Sequence, residues 1–171
     1  MNPRGMVPVM RDGDFVLSES PAIVAYFDSK SDTAPLFGAG PRRAAKVWVG
    51  VSQVLSYLER DTFADIILSA RATPADADLI TGNATRLKAE LGFDTQLAAT
   101  PHVAGESLSA ADLALIAFLH FNLRAAGKQV ALELDLGIMP LADRWPSLAA
   151  WESRMERLPA FDRTYPPQWR G

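Results

Sequence analysis

The rhythm of hydrophobic and polar positions changes once along this chain, near Pro41. Ahead of it the apolar residues come in short runs. Met6 to Met10 reads as a strand, Arg11-Asp12-Gly13-Asp14 as a turn, and Phe15-Val16-Leu17 as the returning strand. Asp-Gly supports this hairpin because it suits the positive φ values of a tight turn. A helix start follows, with Ser20 as cap and Pro21 at the first helical position, where its missing N–H costs nothing. Ile23, Tyr26 and Phe27 share one face of that short helix. Ser29 to Gly40 then has the small polar residues, glycine and proline of a linker, and Leu36-Phe37 within it suits an anchor in a groove.

Beyond Pro41 every pattern is helical. Ala44, Trp48, Val51, Leu55 and Leu58 recur at helical spacing in a segment reaching about Arg71. Thr73-Pro74-Ala75-Asp76 is a second start, and the helix it opens carries Leu79, Leu87 and Leu91, with Gly92 leaving its continuation through Phe93 and Leu97 open. Thr100-Pro101 stops it. Ser109-Ala110-Ala111-Asp112 is the clearest start, with Leu108 and Leu113 placed as a hydrophobic staple. The helix that follows, through Leu115, Ile116, Phe118, Leu119 and Phe121, is apolar nearly all round and should run through the core, with Gly127 ending it in the left-handed conformation. A shorter helix is expected near Gln129 to Leu136, and a last one from Trp145-Pro146 through Leu148, Trp151, Met155 and Leu158. The fold class is α+β, mostly α.

Composition narrows the function. The 171 residues are 49% hydrophobic and 22% charged, enough for a real core. A net charge of −3 offers no basic surplus for nucleic acid. The absence of cysteine removes disulfides, thiolate metal sites and a thiol nucleophile from this chain, and only two histidines, His102 and His120, are present, so no metal centre is expected. His120 reads as a hydrogen-bonded core residue and His102 as a loop residue. The longest apolar stretch, Leu113 to Phe121, is too short to cross a membrane, and the start lacks the apolar run of a secretory signal, so the expected location is the cytoplasm.

Three motifs go further. Asn2-Pro3-Arg4-Gly5-Met6-Val7-Pro8-Val9, with Asp12-Gly13 and then Leu17-Ser18-Glu19-Ser20-Pro21-Ala22-Ile23, closely resembles the second half of the glutathione-binding domain of cytosolic glutathione transferases of bacterial type. Gly105-Glu106-Ser107-Leu108-Ser109-Ala110-Ala111-Asp112-Leu113 resembles the same family's motif at the start of its central helix, and Trp145-Pro146-Ser147-Leu148 through Trp151 to Leu158-Pro159 resembles its ending. The resemblance implies a partial thioredoxin-like glutathione-binding domain over residues 1–30, a linker over 31–40 and an all-helical C-terminal domain over 41–171. It also implies that the β-α-β unit ahead of the Asn-Pro segment is missing from the chain, along with the tyrosine, serine or cysteine that activates the thiol. The catalytic position is therefore unknown in this sequence.

The resemblance implies a glutathione clamp in two parts. Val7-Pro8, with a cis proline, would pair its backbone with the cysteinyl part of glutathione like an added strand, although a proline ending an edge strand fits the residues alone. Glu19-Ser20 would meet the γ-glutamyl ammonium and carboxylate, and a plain helix cap is compatible with that role. Tyr57, spaced from Trp48 as in bacterial members, would line the electrophile pocket or donate to the sulfur; an aromatic packing between helices explains it equally. Arg4 is either a partner for the glycyl carboxylate or simply solvated. Ser109 and Asp112 are explained by capping, and Trp145, Trp151 and Trp169 by packing at the C-terminal end, where aromatics also close hydrophobic pockets. The implied function is conjugation of glutathione, as cosubstrate, to small hydrophobic electrophiles in detoxification, by a homodimer. The alternative is a non-catalytic binding or interaction module. The chain as given is expected to bind glutathione weakly or not at all.

Overall fold

A computed structural model of the chain describes residues 2–33, 35–58 and 76–169. The Thr73-Pro74-Ala75 start signal and the stretch of the long helix beyond Leu58 lie outside them. The first motif is an antiparallel hairpin of β1 (Val9–Asp12) and β2 (Phe15–Ser18), in the register Val9↔Ser18 to Asp12↔Phe15. The turn is thus the two residues Gly13-Asp14, and only Gly13 has positive φ, 59°, the pattern of a type II′ turn. The first strand starts later than Met6, because the chain reaches it through Pro8, which has no N–H for a ladder.

Helix α1 (Ser20–Ser29) follows directly. Here Ser20 is the first helical residue rather than the cap; the cap is Glu19, at φ 75° and ψ 118°, and among the described residues no side chain caps the helix. Leu36 and Phe37 do anchor the connection to the helical region. Their N–H groups donate to the Asp28 carboxylate at 2.7 and 3.2 Å, and the Leu36 carbonyl accepts from Ala110 N–H at 3.0 Å.

The helical region comprises α2 (Pro41–Gln53), continued by a wider π-helical turn over Val54–Leu58, then α3 (Ala77–Glu90), α4 (Phe93–Ala99), α5 (Ala110–Ala126), α6 (Gln129–Glu133), α7 (Leu141–Arg144), α8 (Pro146–Glu156) and α9 (Phe161–Thr164). Helix α2 lies along α5, and α4 and α7 lie against α8. At Gly50 a Cβ would stand 2.7 Å from that of Ala111, so the glycine permits the close approach of α2 to α5.

Several helical faces differ from expectation. The buried stripe of α2 is Val47, Gly50 and Val51, continued by Val54 and Leu58, whereas Trp48 is half-exposed beside Phe37. In α3 Ile80 is buried and Leu79 is exposed. The chain breaks at Leu91-Gly92, so α3 and α4 are separate helices. Gly127 ends α5 at φ −80°, not in the left-handed conformation, because the chain enters α6 within two residues without reversing.

The start of α5 is the polar centre of the core. Both the N–H and the hydroxyl of Ser109 donate to Asp112 Oδ2, at 3.0 and 2.8 Å. Asp112 Oδ1 accepts from Val103 N–H at 2.9 Å and from Trp151 Nε1–H at 3.0 Å. Asp112, fully buried, is thereby a junction between α5, α8 and the loop ahead of α5.

Candidate functional site

The hairpin and α1 are joined at both ends. At the turn end, Tyr26 Oη–H donates to Asp12 Oδ2 at 2.5 Å, Lys30 Nζ reaches the same oxygen at 2.7 Å, and the Phe15 and Tyr26 rings lie 5.4 Å apart. The Lys30 ammonium, then the Tyr26 hydroxyl, hold the Asp12 carboxyl below the usual carboxylate range, while Asp12 raises Lys30. All three are on the surface, so these shifts describe a tether rather than a large store of stability.

The open end carries the clamp candidates. The pair Val9↔Ser18 is the last in the ladder, so the residues just beyond it, Pro8 and Glu19, sit at the same end of the hairpin. The Val7-Pro8 peptide is cis. Segment 2–6 folds back on itself, with Asn2 Nδ2–H donating to Met6 O at 3.1 Å and Arg4 N–H to Asn2 Oδ1 at 3.0 Å. That fold delivers Arg4 Nη1 to within 3.5 Å of Glu19 Oε1. Val7, Pro8, Glu19 and Ser20 are therefore brought together.

All four are accessible: Val7 is 87% exposed, and Pro8, Glu19 and Ser20 are exposed. An uncapped start on a ten-residue helix leaves N–H groups facing solvent, beside the positive end of the macrodipole. An exposed extended peptide next to such a start has the features needed to hold a small peptide carboxylate. Glu19 is one of three non-glycine residues among those described with positive φ, a conformation that costs roughly 1–3 kcal/mol and persists where the surroundings impose it. Nothing in the sequence signals that geometry.

Tyr57 stands apart from this group. It lies in the π-helical turn after α2 and is 60% exposed, so it does not pack between helices. Among the described residues no polar or ring contact joins it to the four. Arg4 is paired with Glu19 across the surface.

Sequence reasoning missed two further features. Arg43 of α2 holds the loop ahead of α5, donating to Ser107 O at 2.7 Å, to Ser107 Oγ at 3.0 Å and to Ala104 O. An apolar cavity of about 470 Å³ lies between α5, α8 and the C-terminal segment, lined by Ile116, His120, Met155, Phe161, Tyr165 and Trp169 among others. Trp151 is buried and Trp145 nearly so, whereas Trp169 lines this cavity. None of the clamp candidates lines it.

A cis-proline hairpin running into a helix start, followed by an all-helical domain, is the arrangement of glutathione-binding transferases, of which the chain holds a partial thioredoxin-like domain and the helical domain. The comparisons agree with this class. The family description glutathione S-transferase, N-terminal domain, matches residues 1–35. A glutathione S-transferase of Pseudomonas putida is 32% identical over 169 residues, covering 94% of this chain and 73% of that protein. One from Arabidopsis thaliana is 29% identical, covering 96% of this chain but only 64% of the plant protein. Among solved structures, the theta class glutathione S-transferase of Xanthomonas axonopodis pv. citri, with glutathione bound, superposes with TM-score 0.70 at 28% identity, covering 95% of this chain and 73% of that one. The chain belongs to the glutathione S-transferase family.

Proposed function

We propose that this chain binds glutathione at the open end of the hairpin and serves its conjugation to small hydrophobic electrophiles. The observation that carries this reading is the convergence of Val7, Pro8, Glu19 and Ser20 beside an uncapped helix start. The exposed edge at Val7 supplies backbone groups for the cysteinyl residue, as an added strand does. The Ser20 hydroxyl and the helix start receive the γ-glutamyl carboxylate, and Glu19 receives the ammonium. Conjugation needs a thiolate, and an ordinary thiol titrates near ~8.5, so a donor to the sulfur is required as well. Of the residues in this chain, Tyr57 is the candidate for that role or for contact with the electrophile.

In this reading residues 1–30 are the glutathione-binding part, 31–40 the linker and 41–171 the helical domain. The protein works in the cytoplasm as a homodimer. Among the described residues no helix is long and apolar enough to cross a membrane.

Because the clamp lies open to water, binding by this chain is weak. The test is calorimetric titration of glutathione into the chain and its Ser20→Ala variant. Loss of a charge-assisted bond worth about 1.5–3 kcal/mol lowers affinity by one to two decades. Equal affinity in the two proteins removes Ser20 from the site.

A further inference from the structure

Helices α5 and α8 face one another with three ligand-type side chains between them. His120 of α5 is 8% exposed, and its Nε2 is buried without a hydrogen-bond partner among the described residues. Glu152 Oε1 lies 3.1 Å from that nitrogen and Glu156 Oε1 3.6 Å from it, and neither makes a hydrogen bond to it. The three ligand atoms all lie within 4.8 Å of one another. We propose that His120, Glu152 and Glu156 form a binding site for a divalent transition-metal ion, zinc foremost, that joins α5 to α8.

Charge is the first reason. Glu152 and Glu156 are one turn apart on α8, where like charges repel. Glu156 is also the last residue of the helix, where the macrodipole favours positive charge. An imidazole nitrogen between two carboxylates needs a cation at the point they share. Nε2 makes a hydrogen bond to neither oxygen, and a metal ion held by all three ligand atoms would offset the charge of both carboxylates.

Geometry and donor type agree. Two ligands each about 2.05 Å from zinc at the tetrahedral angle stand ~3.4 Å apart. The observed 3.1 and 3.6 Å fall on either side of that spacing. One imidazole nitrogen with two carboxylate oxygens is a donor set that zinc accepts, and it leaves a fourth position for water. The imidazole is held edge-on by the rings of Phe161 at 5.8 Å and Tyr165 at 5.6 Å, which fix its plane and shield the site. Glu156, 49% exposed, leaves a path from solvent.

The experiment is equilibrium dialysis of the chain against zinc chloride, with metal measured by mass spectrometry, and visible spectra of the chain loaded with Co²⁺. The expected result is one zinc per chain and the intense visible bands of four-coordinate cobalt. Removing a direct ligand should weaken zinc binding by at least the roughly 10–100-fold that loss of a ligand's supporting group costs. His120→Ala removes the buried ligand. Glu156→Gln, half-exposed and outside the core, keeps the fold intact and should show the same weakening. No retained zinc, retention unchanged in both variants, or a cobalt spectrum identical to the free aqueous ion would overturn the proposal.

Discussion

Asp112 shows how much one side chain carries here. Its two oxygens accept from Ser109 N–H, Ser109 Oγ–H, Val103 N–H and Trp151 Nε1–H, all without solvent. Asp112→Ala would strand those buried donors, at the roughly 3–5 kcal/mol cost of breaking a buried charged interaction. Ser109→Ala removes one hydroxyl from the same group and should cost about 1 kcal/mol, the usual value of a lost cap. Urea denaturation of the two variants checks the ratio; equal losses would mean that Trp151 and Val103 draw little from the carboxylate. Glutathione affinity should be unchanged in folded Ser109→Ala, since that residue lies outside the clamp.

Among the elements, the hairpin and α1 form the lightly held part. No residue of α1 is fully buried, Phe27 is exposed, and the tie at the turn end is the surface group Asp12, Tyr26 and Lys30. Since the folded Asp12 carboxyl titrates below its unfolded value, its contribution is present above the unfolded pKa and is lost as pH falls through the folded one. Lys30, raised, contributes below its unfolded pKa and loses that contribution as pH rises through the folded one. The tether is therefore complete between the two ordinary values. Carboxyl NMR titration should place the Asp12 midpoint below 3.8, and Asp12→Asn should speed amide exchange in the hairpin but not at Leu115. A midpoint at or above that value would show that the tether is not formed in solution.

These elements were readable where their signals are local. Asp12-Gly13, Ser109 with Asp112, and Trp145-Pro146 each act within about one turn of chain, so type and approximate place follow from residue chemistry. The phase of the helices was not readable to the residue. Val47 rather than Trp48, and Ile80 rather than Leu79, face inward, a rotation of about 100° that only packing against α5 and its neighbours decides. Arg43 to Ser107 and Trp151 to Asp112 span 64 and 39 residues, beyond any local pattern. The proposed clamp rests on the family motif in the sequence, whereas the positive φ of Glu19 and the isolation of Tyr57 carry no sequence signal.

At the scale of the whole molecule, a lightly held hairpin and helix present the proposed clamp while the helical domain holds its core through α5. Glutathione recognition by the open end of that hairpin is the central claim. Titration of glutathione into the ¹⁵N-labelled chain, followed amide by amide, tests it most directly. The predicted result is a set of saturable shifts greatest at Val7, Glu19, Ser20 and Ala22, weak in affinity and diminished in Ser20→Ala. Shifts centred instead on the cavity at Ile116 and Tyr165, or no shift at millimolar glutathione, would contradict it.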